Sequence, residues 1–320
     1  MLQPVEAIEI LTLQDNYINI TAADDDAIIT RARKLLGGAR GPSIIAEHGF
    51  SAVVSTTAGG RKRSLLFDFG TSARGAADNA RTLGVGPGLI EIMALSHGHY
   101  DHFEGFEALT ALLGMPGIPL VVHPAAFRNP RYFKGSSGKK HAMPSFTRER
   151  VEKAGVEIQE TVRPRGILGD TVLFLGEIER TTDFEKGMPG AFYEEGGEER
   201  RDVLEDDTSL VMHLRGRGLV VLSGCAHAGI VNSVRYARKV TGIDKIHVIM
   251  GGFHLTGPLA DPVLHATVAA LKDLGPDYVA PCHCCSREAV MLVEREMPDR
   301  FLFNMSGTRF VFSAADAQGG

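Results

Sequence analysis

A chain of 320 residues with 44% apolar side chains can bury a sizeable core in one large domain, and 39 acidic against 34 basic residues leave a net charge of −5. That balance supplies no basic field able to hold a phosphate backbone, so nucleic acid is not expected as a main partner. The start, Met1-Leu2-Gln3-Pro4-Val5-Glu6, lacks the basic and apolar stretches of a secretory leader, and no apolar run reaches the length of a membrane span, so a cytoplasmic protein without a membrane partner is expected.

In chain order, residues 7–13 and 43–46 read as strands, separated by Asp24-Asp25-Asp26 and a helical run over 27–36 that ends at Gly37-Gly38. Strands over 51–56 and 64–68 flank Ala58-Gly59-Gly60-Arg61 as a hairpin, and Asp68 closes the second before a helix over 73–83. The apolar run from Leu89 to Leu95 then reads as a buried strand that gives out into His97-Gly98-His99-Tyr100-Asp101-His102. Neutral imidazole suits zinc and other first-row metals, and a carboxylate adds charge compensation. Side chains two apart on an extended segment project to one side, so His97 and His99 can reach one ion. Asp101 and His102 follow the turn and can face a second ion about 3.5–4 Å from the first. Gly98 keeps the crossing free of a side chain.

A helix over 104–113 leads to a strand over 119–123. Residues 127–147, rich in Gly, Ser, Pro, Lys and Arg without a clean period, read as a long loop of the kind that forms lids, with a short helix over 148–154. Arg128, Arg131, Lys134, Lys139 and Lys140 in this stretch form either a solvated charge run or an attractor for an anionic substrate. A strand over 171–175 ends in Gly176-Glu177, and the Gly- and Glu-rich run 187–207 reads as a mobile surface loop near the mouth. Strands over 209–214 and 218–222 make a second hairpin that ends in Ser223-Gly224-Cys225-Ala226-His227. After a helix over 230–240, a strand over 245–250 empties into Gly251-Gly252-Phe253-His254, where two glycines allow close approach to a substrate or metal. Asp261-Pro262 signals a helix with Asp as N-cap and Pro at the first position. A strand over 278–281 delivers His283, and a helix over 286–297 and a strand over 309–312 follow. The cysteines are Cys225, Cys282, Cys284 and Cys285; three crowded in one turn suggest free thiols in a reduced compartment or beside a metal rather than a disulfide framework.

The run from His97 to His102 resembles the His-x-His-x-Asp-His signature of the metallo-β-lactamase superfamily. The segments Ala46 to Ser51, Leu66 to Gly70, Ser223 to Gly229, Gly251 to Leu255 and Pro281 to Cys284 are together similar to its dihydropterin-ribofuranosylaminobenzene-phosphate-synthase-like branch of metal-dependent hydrolases. The likeness covers most of the chain. It implies an α/β fold of the metallo-β-lactamase αββα type, two mixed sheets flanked by helices, formed by residues 1–320 as a single domain with loop-rich insertions about 127–147 and 187–207.

The same resemblance implies that His97, His99, Asp101, His102, His227 and His283 hold one or two Zn²⁺ ions, with iron or manganese as alternatives. Cys225 falls at the position where most members carry a bridging Asp, and Glu177 stands where many carry a ligand His, so each is a candidate ligand. Asp68 is expected to support the metal-site loops, Asp101 to double as proton acceptor, His254 to stabilise an oxyanion or touch substrate, and His48 to contact substrate or a ligand. The expected activity is hydrolysis of a small metabolite, phosphorylated or not, by metal-bound hydroxide. The alternatives are a non-catalytic metabolite sensor and a diiron-type redox protein. Against the latter, His99 stands where the diiron proteins carry Glu, and no flavin-binding domain follows.

Overall fold

The computed structural model describes residues 2–38, 43–114, 117–135, 137–257 and 260–315. Two sheets face each other. The first holds eight strands in the order Glu157–Glu160, Pro119–Val122, Ile90–Ala94, Arg61–Phe67, Ser51–Ala58, Ala7–Gln14, Arg309–Ser313 and Ile29–Thr30. The second runs Arg165–Ile167, Val172–Phe174, Ser209–Leu214, Gly218–Ser223, Ile246–Gly252 and Tyr278–Cys282, and Pro4–Val5 pairs in parallel with Ser209–Leu214.

Alternation along each strand sorts its side chains between layers. Val220 and Leu222 enter the core between the sheets with Ile8, Ile10, Val54 and Phe67, whereas Leu219 and Val221 face outward. Those outward residues pack under the helices Ile230–Thr241, Ala260–Leu274 and Arg287–Glu296. On the opposite side Val53, Leu66 and Met93 pack under Gly75–Thr82, Phe106–Leu113 and Arg148–Lys153. The result is the expected four-layer αββα arrangement. No helix among the described residues is long and apolar enough to cross a membrane.

Several local expectations change. The helix expected over 27–36 shrinks to Ala32–Leu35, and Ile29–Thr30 becomes an edge strand. The cause is the acidic run: Asp26 Oδ1 accepts the Ile28 and Ile29 N–H groups and Asp25 Oδ1 accepts that of Arg31, which offers the backbone an alternative to helix. Residues 43–46 form no strand, because the side chain of buried Asn79 accepts from Ile45 N and donates to Ile45 O and Leu13 O in place of a ladder. The strands Glu157–Glu160 and Arg165–Ile167 carry too little apolar alternation to be expected; they sit at sheet edges, where polar residues discourage further pairing. The helix Ala260–Leu274 already includes Ala260, and its N-cap lies outside the described residues.

The two stretches read as loops, 127–147 and 187–207, instead pair with each other. Arg131–Lys134, Lys140–Ala142, Ala191–Glu195 and Glu198–Arg201 build a third, four-stranded antiparallel sheet with Tyr132 opposite Phe192. Two of its pairings are local hairpins, but the one that joins the stretches, Tyr132 with Phe192, spans sixty positions and leaves no local signal.

Candidate metal centre

Strand ends deliver the chemistry to one edge. Ile90–Ala94 leads into His97 and His99, and a single turn of helix, Tyr100–Phe103, carries Asp101 and His102. The parallel strands Gly218–Ser223, Ile246–Gly252 and Tyr278–Cys282 empty into Cys225 and His227, His254, and His283. His97, His99, Asp101, His102, Cys225, His227 and His283 are all buried, and His254 is half-buried.

The imidazoles meet nitrogen to nitrogen. His97 Nε2 lies 3.2 Å from His227 Nε2, and His102 Nε2 lies 3.0 Å from His283 Nε2. Proton positions on the first ring of each pair follow from their other nitrogens. Ser96 Oγ gives its proton to Asp68 Oδ2 at 2.8 Å and so accepts from His97 Nδ1 at 3.0 Å, while His102 Nδ1 donates to Asp68 Oδ2 at 2.7 Å. With Nδ1 occupied in this way, His97, and His102 once its second proton leaves, carry the lone pair on Nε2, the arrangement by which a carboxylate orients a metal-bound histidine. His99 Nε2 is buried without a partner. One donor set within 4.8 Å comprises His97, His99 and His227, a second His97, His102 and Cys225, and a third His48, Asp101 and His283. Asp101 Oδ2 stands 3.3 Å from His283 Nε2 and 3.9 Å from His102 Nε2. Convergent lone pairs, an orphaned imidazole nitrogen and a carboxylate fit a divalent cation.

Electrostatics agree. Burial pulls His97 and His227 well below the usual histidine range, and burial followed by the Arg131 guanidinium brings His99 down to about 3, so all three are neutral and able to coordinate. Burial also pulls His102 down, but Asp68 and Asp101 outweigh it and hold it up at about 9. A cation at His102 Nε2 therefore displaces a proton. Burial pushes Asp101 up, yet His102 and His283 keep its carboxyl well below the usual carboxylate range.

The surrounding backbone is held under strain. Among the described residues seven non-glycine positions have positive φ, and Asp68, Ala226, His254 and His283 are four of them. Each such conformation costs on the order of 1–3 kcal/mol, which over-determined hydrogen bonding must offset. Asp15 supplies part of this by accepting the His283 N–H at 2.9 Å, and Asp207 accepts that of Ala228 at 2.8 Å, next to His227. Close approach needs bare backbone: a Cβ at Gly224 would lie 2.1 Å from Ser96 Oγ, and one at Gly98 2.2 Å from Ala126 O.

Most residues anticipated from sequence come together, but not all. Glu177 is exposed, in a separate groove with Ile178, Arg180 and Val203, and joins no donor set. The strand end before it turns away at Gly176, whose missing side chain makes room for the backbone of Val162 and Arg163. His48 sits at the mouth, its side chain 57% exposed, with Nε2 3.4 Å from Asp101 Oδ2 and its ring stacked 5.0 Å from that of His283.

Four of the five basic residues of the first insertion are paired within the protein. Arg128 pairs with Glu205, Lys134 with Glu199, Lys140 with Glu194, and buried Arg131 with Asp202 and Asp206. Asp206 Oδ2 also accepts the Gly98 N–H at 2.8 Å, which ties the small sheet to the His97–His99 loop. Sequence reasoning missed Asp15 and Asp206. The run Glu205-Asp206-Asp207 before a buried strand was the available signal for Asp206; nothing marked Asp15.

The chain belongs to the metallo-β-lactamase superfamily, whose family model matches residues 48–239. The fold and imidazole cluster are those of a divalent-metal protein. The chain is 30% identical over 295 residues to the 7,8-dihydropterin-6-methyl-4-(β-D-ribofuranosyl)-aminobenzene-5'-phosphate synthase of Methanocaldococcus jannaschii, covering 89% of this chain and 96% of that protein. An uncharacterized protein of the same organism is 29% identical over 245 residues, or 77% of this chain and 86% of the other. Among solved structures, a metal-dependent hydrolase of the β-lactamase superfamily superposes with a TM-score of 0.72 at 25% identity, covering 96% of this chain and 99% of that one.

Proposed function

We propose that this protein is a metal-dependent hydrolase that binds one or two zinc ions and acts on a small metabolite. The paired Nε2 atoms of His97 with His227 and of His102 with His283 carry this reading. His97, His99 and His227 would hold one ion, and Asp101, His102 and His283 a second, with Cys225 in reach of His97 and His102. Bound zinc supplies a Lewis acid and lowers the pKa of a coordinated water from about 15.7 toward 7.

The chain's own groups do the rest. Asp101, kept ionised by His102 and His283, accepts the proton of the attacking water. His254, its ring 4.2 Å from that of His227, donates to the oxyanion that develops on the substrate. His48 at the mouth contacts the substrate beyond the reacting bond. Asp68 and Ser96 keep His97 and His102 in their ligating tautomers.

A second reading, condensation of a phosphorylated aminobenzene riboside with a pterin precursor, is favoured by the identity to the archaeal synthase. One experiment separates the two. Protein purified without added metal is analysed for metal, then offered phosphoesters and lactones alone, and separately an aminobenzene riboside phosphate with a dihydropterin. Bound zinc with turnover of a single substrate by water supports hydrolysis; product only from the paired substrates overturns it. Absence of stoichiometric divalent metal overturns both.

A further inference from the structure

We infer that Cys225 and Cys284 form a redox-active dithiol, a modification site at which a small peroxide closes an intramolecular disulfide and withdraws Cys225 from the ion pocket. The withdrawal rests on the metal reading above; the disulfide does not.

The two Sγ atoms lie 2.8 Å apart, although the residues are separated by 59 positions and sit on different strand ends. That is inside the roughly 3.5–4.0 Å of ordinary non-bonded contact and outside the roughly 2.05 Å of a disulfide. Cys225 follows Gly218–Ser223 and Cys284 follows Tyr278–Cys282, two strands that flank Ile246–Gly252 rather than each other. Across an intervening strand their axes are about 9–10 Å apart, too far for thiols within the sheet to touch. Contact arises past the strand ends, beside Gly252. A Cβ at Gly252 would stand 2.7 Å from Cys284 Sγ and 3.0 Å from Cys225 Cα, so the glycine clears the space in which the sulfurs meet.

His254 fixes both partners: its backbone N–H donates to Cys284 Sγ at 3.1 Å, and its Nδ1 lies 3.6 Å from Cys225 Sγ. The other thiols are engaged elsewhere. Cys282 packs in the core between the sheets, and Cys285 against the layer of outer helices. Cys225 belongs to the donor sets of His97 with His102 and of His227 with His254, and both sulfurs share a third with His283, so closing the bond takes Cys225 out of all three.

The step balances simply. Each thiol gives up one proton and one electron, the S–S bond forms, the O–O bond of hydrogen peroxide takes up both electrons and both protons as it breaks, and two waters leave; a dithiol reductant reverses it. The test uses the full chain loaded with zinc, treated with hydrogen peroxide, alkylated, and mapped by mass spectrometry without reduction, while a chromogenic chelator reads released zinc.

The expected result is loss of the mass of two hydrogens, one linked peptide pair containing Cys225 and Cys284, reversal by dithiothreitol, and zinc release in step with the link. Both cysteines recovered alkylated, each carrying added oxygen, or linkage through Cys282 or Cys285 would overturn the assignment. A link that forms with all zinc retained overturns the withdrawal. Cys284→Ser should abolish the link and keep zinc bound through the same treatment. The wild-type map decides the disulfide even if that variant fails to fold or the chain takes up no zinc.

Discussion

Replacing Asp68 by Asn tests the tautomer argument without removing any presumed ligand. Asp68 is fully buried; its Oδ1 accepts Ser96 N–H at 2.7 Å, and its Oδ2 accepts both Ser96 Oγ and His102 Nδ1. An amide keeps the first bond and turns a donor toward the other two. His102 must then either bury an unmatched N–H or move its proton to Nε2, which removes the lone pair aimed at the ion. Loss of such an orienting partner lowers metal affinity about 10–100-fold, equivalent to about 1.4–2.8 kcal/mol. The His97 ring, held through Ser96, should weaken with it. Competitive zinc titration against a chromogenic chelator, with circular dichroism to establish that the variant folds, measures the loss. Affinity within a factor of two of wild type in a folded variant would refute the claim that Asp68 sets the ligating form of these rings.

Other outcomes follow from the same geometry. Glu177→Gln should leave metal stoichiometry unchanged, because the residue is exposed and outside every donor set; atomic absorption on the variant checks this. Gly224→Ala should lower stability by about 1–3 kcal/mol, the usual range for overpacking, since the new Cβ would sit 2.1 Å from Ser96 Oγ and 2.6 Å from Asp68 Oδ2; an unchanged denaturation midpoint would contradict the contact. Arg131→Met leaves Asp202 and Asp206 buried without their cation and should destabilise by about 3–5 kcal/mol in the same assay.

In the metal-free protein, His97, His99, His102 and His227 together contribute most stability near pH 6.5. His102, raised to about 9, contributes stability that is fully present below about 6.5 and is lost as pH climbs through about 9. His97, His99 and His227, held low, remove stability as pH falls below about 6.5. Denaturation from pH 5 to 10 with chelator present tests it, and a monotonic profile across that range would count against the assignment.

The gathering of the candidate site was largely legible because its side chains lie at strand ends flagged by apolar runs that stop abruptly. His97, His99 and His102 needed only that pattern, whereas His227 and His283 needed the family resemblance to be joined to them. What stayed hidden is what long-range pairing decides. Arg131 reads as one charge in a basic loop, and only the folding of the second insertion onto the first buries it against Asp206 and, through Gly98, against the metal loop. Asp15 lies in an unmarked stretch, yet it holds His283 across 268 positions. Glu177 shows the converse error: the position matched a family ligand in register, but the backbone at Gly176 directs the chain away.

The placement of Arg309–Ser313 between Ala7–Gln14 and Ile29–Thr30 bears on synthesis. Asn304, just ahead of that strand, donates to Asp15 and accepts from Thr12, and Ser306 bonds Asp15 on both sides. Because Asp15 anchors His283, the second half of the ion pocket stays unbraced while a nascent chain still has residues 304–313 inside the ribosome. Metal uptake at that half of the site is therefore tied to closure of the Arg309–Ser313 edge, and a chain cut before residue 304 would keep its imidazoles without their brace.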